Sequence, residues 1–230
     1  MAETDSTTAS ETRRNLLRIL LLLLMALGTV GVILLQRWLN SVAAPQIRAS
    51  VSLRIYGQVP SFDLVECGGK SFSGARLNDK VWIADFIFTR CSGPCPMMSR
   101  QMAEIQKSLH GSADVRLVSF FVDPEFDTPK VLTQYAKRFE ADPSRWFFLT
   151  GRFDVIQRLA KEGFKLSVEK TPPDQQATGN DPIIHSPYFV LVDRLGRIRG
   201  YYDSSTPGFP EPLIGDIKKL LKETRHDSGN

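Results

Sequence analysis

Apolar and polar positions divide the chain into one long apolar segment near its start and a longer part with the periods of strands and helices. Continuous apolar runs at residues 81–88 and 115–122 are typical of strands buried on both faces of a sheet. Between them, apolar residues recur every three or four positions over 96–109, which is the period of an amphipathic helix. These three segments predict a βαβ unit.

The same patterns predict further elements on either side of this unit. Two short strands at 61–65 and 71–72 flank a glycine pair suited to a tight turn. The remaining predicted elements are strands at 146–149, 164–168, 188–192 and 198–202 and helices at 128–139, 153–161 and 212–221. The series predicts an α/β fold with a mixed central sheet flanked by helices.

The apolar segment at residues 19–35 contains seventeen residues without a charged side chain. At about 1.5 Å rise per residue, it nearly spans a hydrocarbon core of about 30 Å. Three arginines precede it, and basic residues favour the cytoplasmic side of a membrane. We therefore predict a cytoplasmic tail at 1–15 and a single transmembrane anchor at 16–38, with the rest of the chain on the outer, periplasmic or equivalent side.

Three other interpretations of this segment stay open. A cleaved secretory signal has a shorter apolar region of about 7 to 15 residues, although Ser41 and Ala43 satisfy its cleavage pattern. Residues 12–17 are similar to a twin-arginine export signal. A buried core helix is disfavoured because the run is apolar on all faces. With an uncleaved anchor, residues 39–55 form a linker and residues 56–225 form the folded domain.

Composition and charge narrow the possible functions. With 42% hydrophobic and 23% charged residues, the chain fits one globular domain with an anchor and excludes a disordered or collagen-like protein. The formal net charge of +4 comes from scattered Lys and Arg residues without a basic tract interleaved with aromatic residues, so we predict no nucleic-acid partner. Three cysteines are too few for a disulfide framework, which leaves redox or metal chemistry for the closely spaced pair.

Cys91 and Cys95 lie where the predicted strand 81–88 passes into the predicted helix 96–109, and this order is that of thioredoxin. Unpaired N–H groups and the helix dipole at that end favour a thiolate, which is both a nucleophile and a soft metal ligand. Three intervening residues instead of two widen the loop, which suits monovalent copper with few ligands better than tetrahedral zinc. The motif therefore predicts a thioredoxin-like fold with a thiol site and favours copper.

A trigonal copper site needs a third ligand, and the sequence contains three histidines. We predict His185, because the polar, proline-rich residues 171–182 form a flexible loop that is able to carry its imidazole over the cysteine pair. His110 ends a helix and His226 lies in the polar tail, so neither is predicted as a ligand.

Five other residues have competing interpretations. Met98 fits the apolar face of the helix, whereas Met97 is undecided between packing and soft ligation. Asp123 and Asp127 follow a strand, where a carboxylate is able to orient the histidine or the cysteine loop; for Asp127, helix capping is favoured. Cys67 lies in the first hairpin and is interpreted as a structural or incidental thiol.

Three stretches of the sequence resemble the Sco/SenC family of copper-binding assembly factors for cytochrome c oxidase. They are residues 86–96 around the cysteine pair, residues 118–129 in and after the second buried strand, and residues 185–193 from the histidine onward. The resemblance covers most of the chain from about Tyr56.

The resemblance implies a thioredoxin-like fold behind one N-terminal transmembrane helix, with Cu(I) or Cu(II) bound by Cys91, Cys95 and His185. The implied function is that of a copper metallochaperone whose partner is an apo cytochrome c oxidase subunit carrying the CuA site. The alternative is a membrane-anchored thiol-disulfide oxidoreductase, in which Cys91 and Cys95 are catalytic and a thioredoxin-like reductant is a partner. A peroxiredoxin-type peroxidase with one low-pKa cysteine is the third hypothesis.

Overall fold

The computed structural model describes residues 24–25, 27–36, 52–176 and 181–223. The chain divides into two units, Met1–Ser52 and Leu53–Asn230, and residues 24–25 and 27–36 of the first unit are helical. Within the described residues, no helix has both the length and the apolar character required to cross a bilayer. Eleven of the 23 residues of the predicted anchor at 16–38 lie outside the described residues, as does the whole predicted tail at 1–15, and both stay predictions.

The second unit contains a mixed eight-stranded sheet with the order β1-β10-β9-β4-β5-β6-β2-β3 and a separate two-stranded sheet of β7 and β8. The central strands β4, β5 and β6 are parallel, and β9 joins β4 in the antiparallel sense. The strands are β1 Gly57–Gln58, β2 Asp63–Glu66, β3 Ser71–Ser73, β4 Val81–Ile87, β5 Val115–Phe121, β6 Trp146–Thr150, β7 Val168–Lys170, β8 Ile183–His185, β9 Tyr188–Val192 and β10 Arg197–Asp203.

Five helices connect and cover these strands. They are α1 Cys95–Ser108, α2 Pro129–Arg138, α3 Phe153–Arg158, α4 Pro173–Gln176 and α5 Glu211–Lys222, with a 3-10 turn at Gly74–Leu77 and a π-turn at Leu159–Gly163. The predicted βαβ unit is confirmed as β4, α1 and β5, and the prediction of a mixed sheet flanked by helices is confirmed as well.

The core forms where the apolar strands meet the apolar helix faces. All seven residues of β4 are buried, as the continuous apolar run predicts for a central strand. The rings of Phe86 and Phe120 stack with their centroids 4.9 Å apart, and the ring of Phe164 lies 5.2 Å from Phe86. This aromatic packing fixes the end of β4 from which the cysteine loop leaves.

The predicted strand at 164–168 is wrong. Helix α3 continues into the π-turn Leu159–Gly163, Phe164 ends that turn, and Lys165 has a positive φ of 56° that reverses the chain. Phe164, Leu166 and Val168 are buried at alternate positions, and this alternation imitates a strand although the backbone is irregular. The strand begins only at Val168, and β7 pairs with β8 outside the main sheet.

Candidate metal centre

The two cysteines lie at the junction of β4 and α1. Cys95 is the first residue of the helix and is fully buried, whereas Cys91 lies in the preceding loop with 8% of its surface exposed. Pro94 occupies the N-cap position without a side-chain cap, and its carbonyl oxygen accepts the N–H groups of Met97 and Met98 at 3.0 Å. Pro96 has no N–H, so the backbone N–H of Cys95 is the first-turn donor that interacts with Cys91. The sulfur of Cys91 accepts a hydrogen bond from the Gly93 N–H at 3.3 Å.

The third predicted ligand reaches the same place from a different part of the fold. His185 Nε2 lies 3.1 Å from Cys95 Sγ, and the ligand atoms of Cys91, Cys95 and His185 all lie within 4.8 Å of one another. The prediction that a flexible loop carries His185 is wrong, because His185 is the last residue of β8 and pairs with Val168 of β7.

A backbone contact orients the imidazole of His185. Its Nδ1 lies 3.3 Å from the carbonyl oxygen of Ser186, and its ring packs edge-to-face against Phe88 with the centroids 5.7 Å apart. With the proton on Nδ1, this contact is a hydrogen bond to the carbonyl oxygen. The lone pair of Nε2 then faces Cys95 Sγ, which is the orientation that a metal ligand needs.

The two thiols differ strongly in acidity. The neighbouring Cys95 thiol, followed by His185 and the N–H groups of the loop, lowers the pKa of Cys91 to about 5 against the opposing effect of burial. Burial, followed by the adjacent Cys91, raises the pKa of Cys95. At neutral pH the site therefore holds one thiolate and one thiol.

Carboxylates on the β5–α2 connection hold the start of the cysteine loop. Asp127 accepts hydrogen bonds from the N–H of Thr89, at 3.2 and 3.3 Å, and from its hydroxyl. Asp123 accepts from the guanidinium of Arg90 at 2.6 Å. The favoured capping role for Asp127 is wrong, because Thr128 is the N-cap residue of α2 and accepts from the helix backbone. The loop-orienting role is confirmed for both carboxylates.

Sequence analysis missed two acidic residues near the site. Asp181 accepts hydrogen bonds from both the N–H and the hydroxyl of Ser92. Asp85 lies in the middle of β4 with no exposed surface, and neither of its oxygens has a hydrogen-bond partner in the described part of the chain. The available signals were the position of Asp181 four residues before His185 and the presence of Asp85 as the only acid in an apolar run.

The other candidates differ in burial. Met98 is fully buried in the core, as predicted, and Met97 is partly buried. Cys67 is half-buried in the turn between β2 and β3, where burial raises the pKa of its thiol. His110 is exposed in the turn after α1, and His226 lies outside the described residues.

The three side chains fit a soft metal ion. Two sulfurs and an imidazole nitrogen are ligands that monovalent copper accepts. Ligand atoms bound to one ion lie at most about 4.6 Å apart when each bond is about 2.3 Å long, as for zinc and sulfur. The observed limit of 4.8 Å therefore requires only small side-chain adjustments. The group borders a pocket of about 350 Å³ that Cys91, Pro94, Ile184 and His185 help to line.

Comparisons with known proteins agree with this arrangement. Residues 56–222 match the sequence model of the SCO1/SenC family. The SCO1 protein homolog of Bacillus subtilis (strain 168) is 37% identical over 163 residues, which cover 70% of this chain and 81% of the relative.

Two solved structures extend the comparison to the fold. BsSco, a member of the Sco family of cytochrome c oxidase assembly proteins in which a disulfide switch was identified, is 33% identical with a TM-score of 0.65, covering 75% of this chain and 99% of its own. Bradyrhizobium japonicum ScoI, solved with copper bound, is 25% identical with a TM-score of 0.59, covering 71% of this chain and 99% of its own. With the family match over most of the folded unit, the chain belongs to the SCO1/SenC family.

Proposed function

We propose that this protein binds copper through Cys91, Cys95 and His185 and delivers it to the CuA site of cytochrome c oxidase. The observation that carries the proposal is the convergence of two sulfurs and one imidazole nitrogen within 4.8 Å. The copper-bound structure of the relative ScoI and the assembly role of the relative BsSco support the metal and the client.

The three ligands have unequal parts in this function. Cys91 is a thiolate at neutral pH because its pKa is lowered to about 5, so it is the first group to capture the ion. Cys95, whose pKa is raised, gives up its proton when copper binds. The lone pair of His185 Nε2 completes a trigonal set. Delivery then consists of ligand exchange with the acceptor site.

Copper titration of the purified protein tests the proposal. We expect one tightly bound Cu(I) per wild-type chain, and we expect His185→Ala to weaken Cu(II) binding more than Cu(I) binding, because two thiolates suffice for Cu(I). His110→Ala removes an exposed histidine away from the site and is the matched control, with wild-type affinity for both ions. Wild-type Cu(II) affinity in His185→Ala would remove that residue from the site.

We also propose that the segment at 16–38 anchors the protein and that the folded unit lies outside the cytoplasm. The proposal is supported by the seventeen uncharged residues at 19–35 and by the arginines before them. Extraction of membranes with alkaline carbonate should leave an anchored protein in the membrane pellet. Recovery of the full-length chain in the supernatant would contradict the anchor.

A thiol-disulfide oxidoreductase is the second candidate, and the thiolate of Cys91 beside the thiol of Cys95 favours it specifically. In this reaction the Cys91 thiolate attacks a partner disulfide and releases one partner thiolate. Cys95 then loses its proton and attacks the mixed disulfide, leaving a Cys91–Cys95 disulfide and a fully reduced partner. A thioredoxin-like reductant restores the dithiol.

Oxidase assembly in cells separates the two candidates. A copper chaperone requires His185 as well as the cysteines, so both His185→Ala and Cys91→Ser should reduce the copper content and activity of the oxidase. A pure oxidoreductase tolerates the loss of His185. Normal assembly in His185→Ala with a failure in Cys91→Ser therefore favours thiol chemistry.

A further inference from the structure

The three candidate ligands come from two separately built parts of the fold. Cys91 and Cys95 lie on the loop and helix that follow β4 in the main sheet. His185 ends β8, which pairs with β7 in the two-stranded sheet. The distance between the imidazole and the sulfurs therefore depends on how the β7–β8 hairpin is held against the cysteine loop.

Asp181 forms a direct link between these two parts. Its Oδ1 accepts the hydroxyl of Ser92 at 3.0 Å, and its two oxygens lie 3.2 Å from the N–H of the same residue. Ser92 follows Cys91 directly, so the carboxylate of Asp181 binds the loop at the residue next to the Cys91 thiolate. Hydrogen bonds to an ionised acceptor are stronger than those between neutral groups.

The backbone of Asp181 is itself fixed to the hairpin. Its carbonyl oxygen accepts the hydroxyl of Thr171 at 2.6 Å, and the N–H of Thr171 donates to the carbonyl oxygen of Pro182 at 2.9 Å. Thr171 is buried and follows β7, whereas β8 begins two residues after Asp181. Asp181 is therefore hydrogen-bonded both to the hairpin, through its backbone, and to the cysteine loop, through its side chain.

Apart from the contact between His185 and Cys95, two further hydrogen bonds attach the hairpin to other parts of the unit. Lys170 pairs with Glu125 at 3.0 Å on the β5–α2 connection, and Gln157 of α3 donates to the carbonyl oxygen of Val168 at 2.9 Å. These contacts attach the hairpin to the body of the unit. They do not touch the loop between Cys91 and Cys95.

We infer that Asp181 is a positioning residue of the copper site, which holds the cysteine loop against the hairpin and keeps the imidazole of His185 within bonding reach of the ion. The inference rests on the proposed binding of copper. Loss of this link should lower the affinity for Cu(II), which needs the imidazole, by about tenfold, as is usual when the support of a metal ligand is removed. The affinity for Cu(I), held by two thiolates, should change by less than about threefold.

A set of variants of the full-length protein, purified in detergent, tests the inference. Asp181→Ala removes both acceptor oxygens, whereas Asp181→Asn keeps one acceptor and should have an intermediate effect. Ser92→Ala removes the hydroxyl donor and leaves the N–H, so a partial loss is expected there too. Glu125→Ala is the matched control, because it removes an exposed carboxylate whose hydrogen bond goes to the hairpin at Lys170 and not to Ser92.

The measurements are Cu(II) and Cu(I) affinities by competition with chromophoric chelators, and nitrogen hyperfine coupling in the electron paramagnetic resonance spectrum of the Cu(II) form. We expect weakened Cu(II) binding and altered nitrogen coupling in Asp181→Ala, with wild-type behaviour in Glu125→Ala. The thermal midpoint of unfolding of the copper-free protein is measured as well, because a lowered midpoint would indicate that the substitution destabilises the fold.

The possible results separate this inference from the proposed function. Wild-type Cu(II) affinity and spectrum in Asp181→Ala would overturn the inference alone, as would an equal loss for both ions together with a lowered thermal midpoint. If Asp181→Ala does not fold, wild-type Cu(II) binding in both Asp181→Asn and Ser92→Ala overturns it. A wild-type protein that binds no copper overturns the proposed function, and the inference with it.

Discussion

Replacement of Asp85 by Asn should change how the stability of the protein depends on pH. Burial raises the pKa of Asp85 to about 7, and Ser119 and His185 oppose the shift only in part. The carboxyl lies fully buried in β4, where the ionised form lacks a hydrogen-bond partner within the described residues. A buried carboxyl in this setting strongly favours its protonated form.

The size of the effect follows from the difference between the two protonation states. The ordinary pKa is 3.8, so the folded state raises it by about 3 units, and each unit corresponds to about 1.36 kcal/mol. Because the folded state binds the extra proton, this stability is fully present below pH 4 and is lost as the pH rises toward 7. Between pH 5 and pH 8, the wild-type protein should lose about 3 kcal/mol relative to Asp85→Asn.

Urea unfolding of the reduced, copper-free protein at several pH values between 5 and 8 measures this difference. The control is Asp114→Asn, the same chemical change at an exposed carboxyl whose pKa Lys80 and Arg194 lower. Asp114 stays ionised throughout this range, so its variant should run parallel to the wild type. If Asp85→Asn also runs parallel to the wild type, Asp85 does not titrate in this range and the argument from burial is refuted.

Three further predictions concern the loop, the thiols and the core. Asp127→Ala removes the acceptor for Thr89 and should weaken both Cu(I) and Cu(II) by about tenfold in chelator competition; an unchanged affinity for either ion contradicts this anchoring role. Iodoacetamide should modify Cys91 before Cys95, with a half-maximal rate near pH 5 in peptide mapping by mass spectrometry, because its pKa is lowered to about 5; a midpoint above pH 8 contradicts the thiolate. Phe120→Ala should lower the free energy of unfolding by about 3 to 5 kcal/mol in urea, because its buried ring contacts three others; a loss below about 1 kcal/mol would show that the cluster relaxes.

The central part of the fold was predictable because its signals are local. The apolar runs at 81–88 and 115–122 predict buried strands, and the structure has strands there. The strand before Cys91 and the helix that begins at Cys95 fix the place of the cysteine pair in the fold. Each of these elements shows its own period within a few residues. The thiol site at the start of the helix was therefore predictable without knowledge of distant contacts.

The outer parts of the site depend on contacts that no local period records. Strand β8 has three residues, too few to show an alternation, so the sequence predicts a loop that carries His185. Asp181 and Ser92 are 89 positions apart, and their hydrogen bonds exist only because the hairpin folds back over the loop. The neighbouring Thr128 caps the helix, so the carboxylate of Asp127 accepts hydrogen bonds from Thr89 instead.

The separate β7–β8 hairpin has a consequence for the proposed delivery of copper. Two candidate ligands belong to the part of the chain that holds the core together, and the third belongs to a hairpin outside the main sheet. Under the proposed function, displacement of this hairpin would leave the ion with two ligands in place of three while the core stays folded. The residues that keep the protein folded would then be distinct from the residue that controls release of the metal.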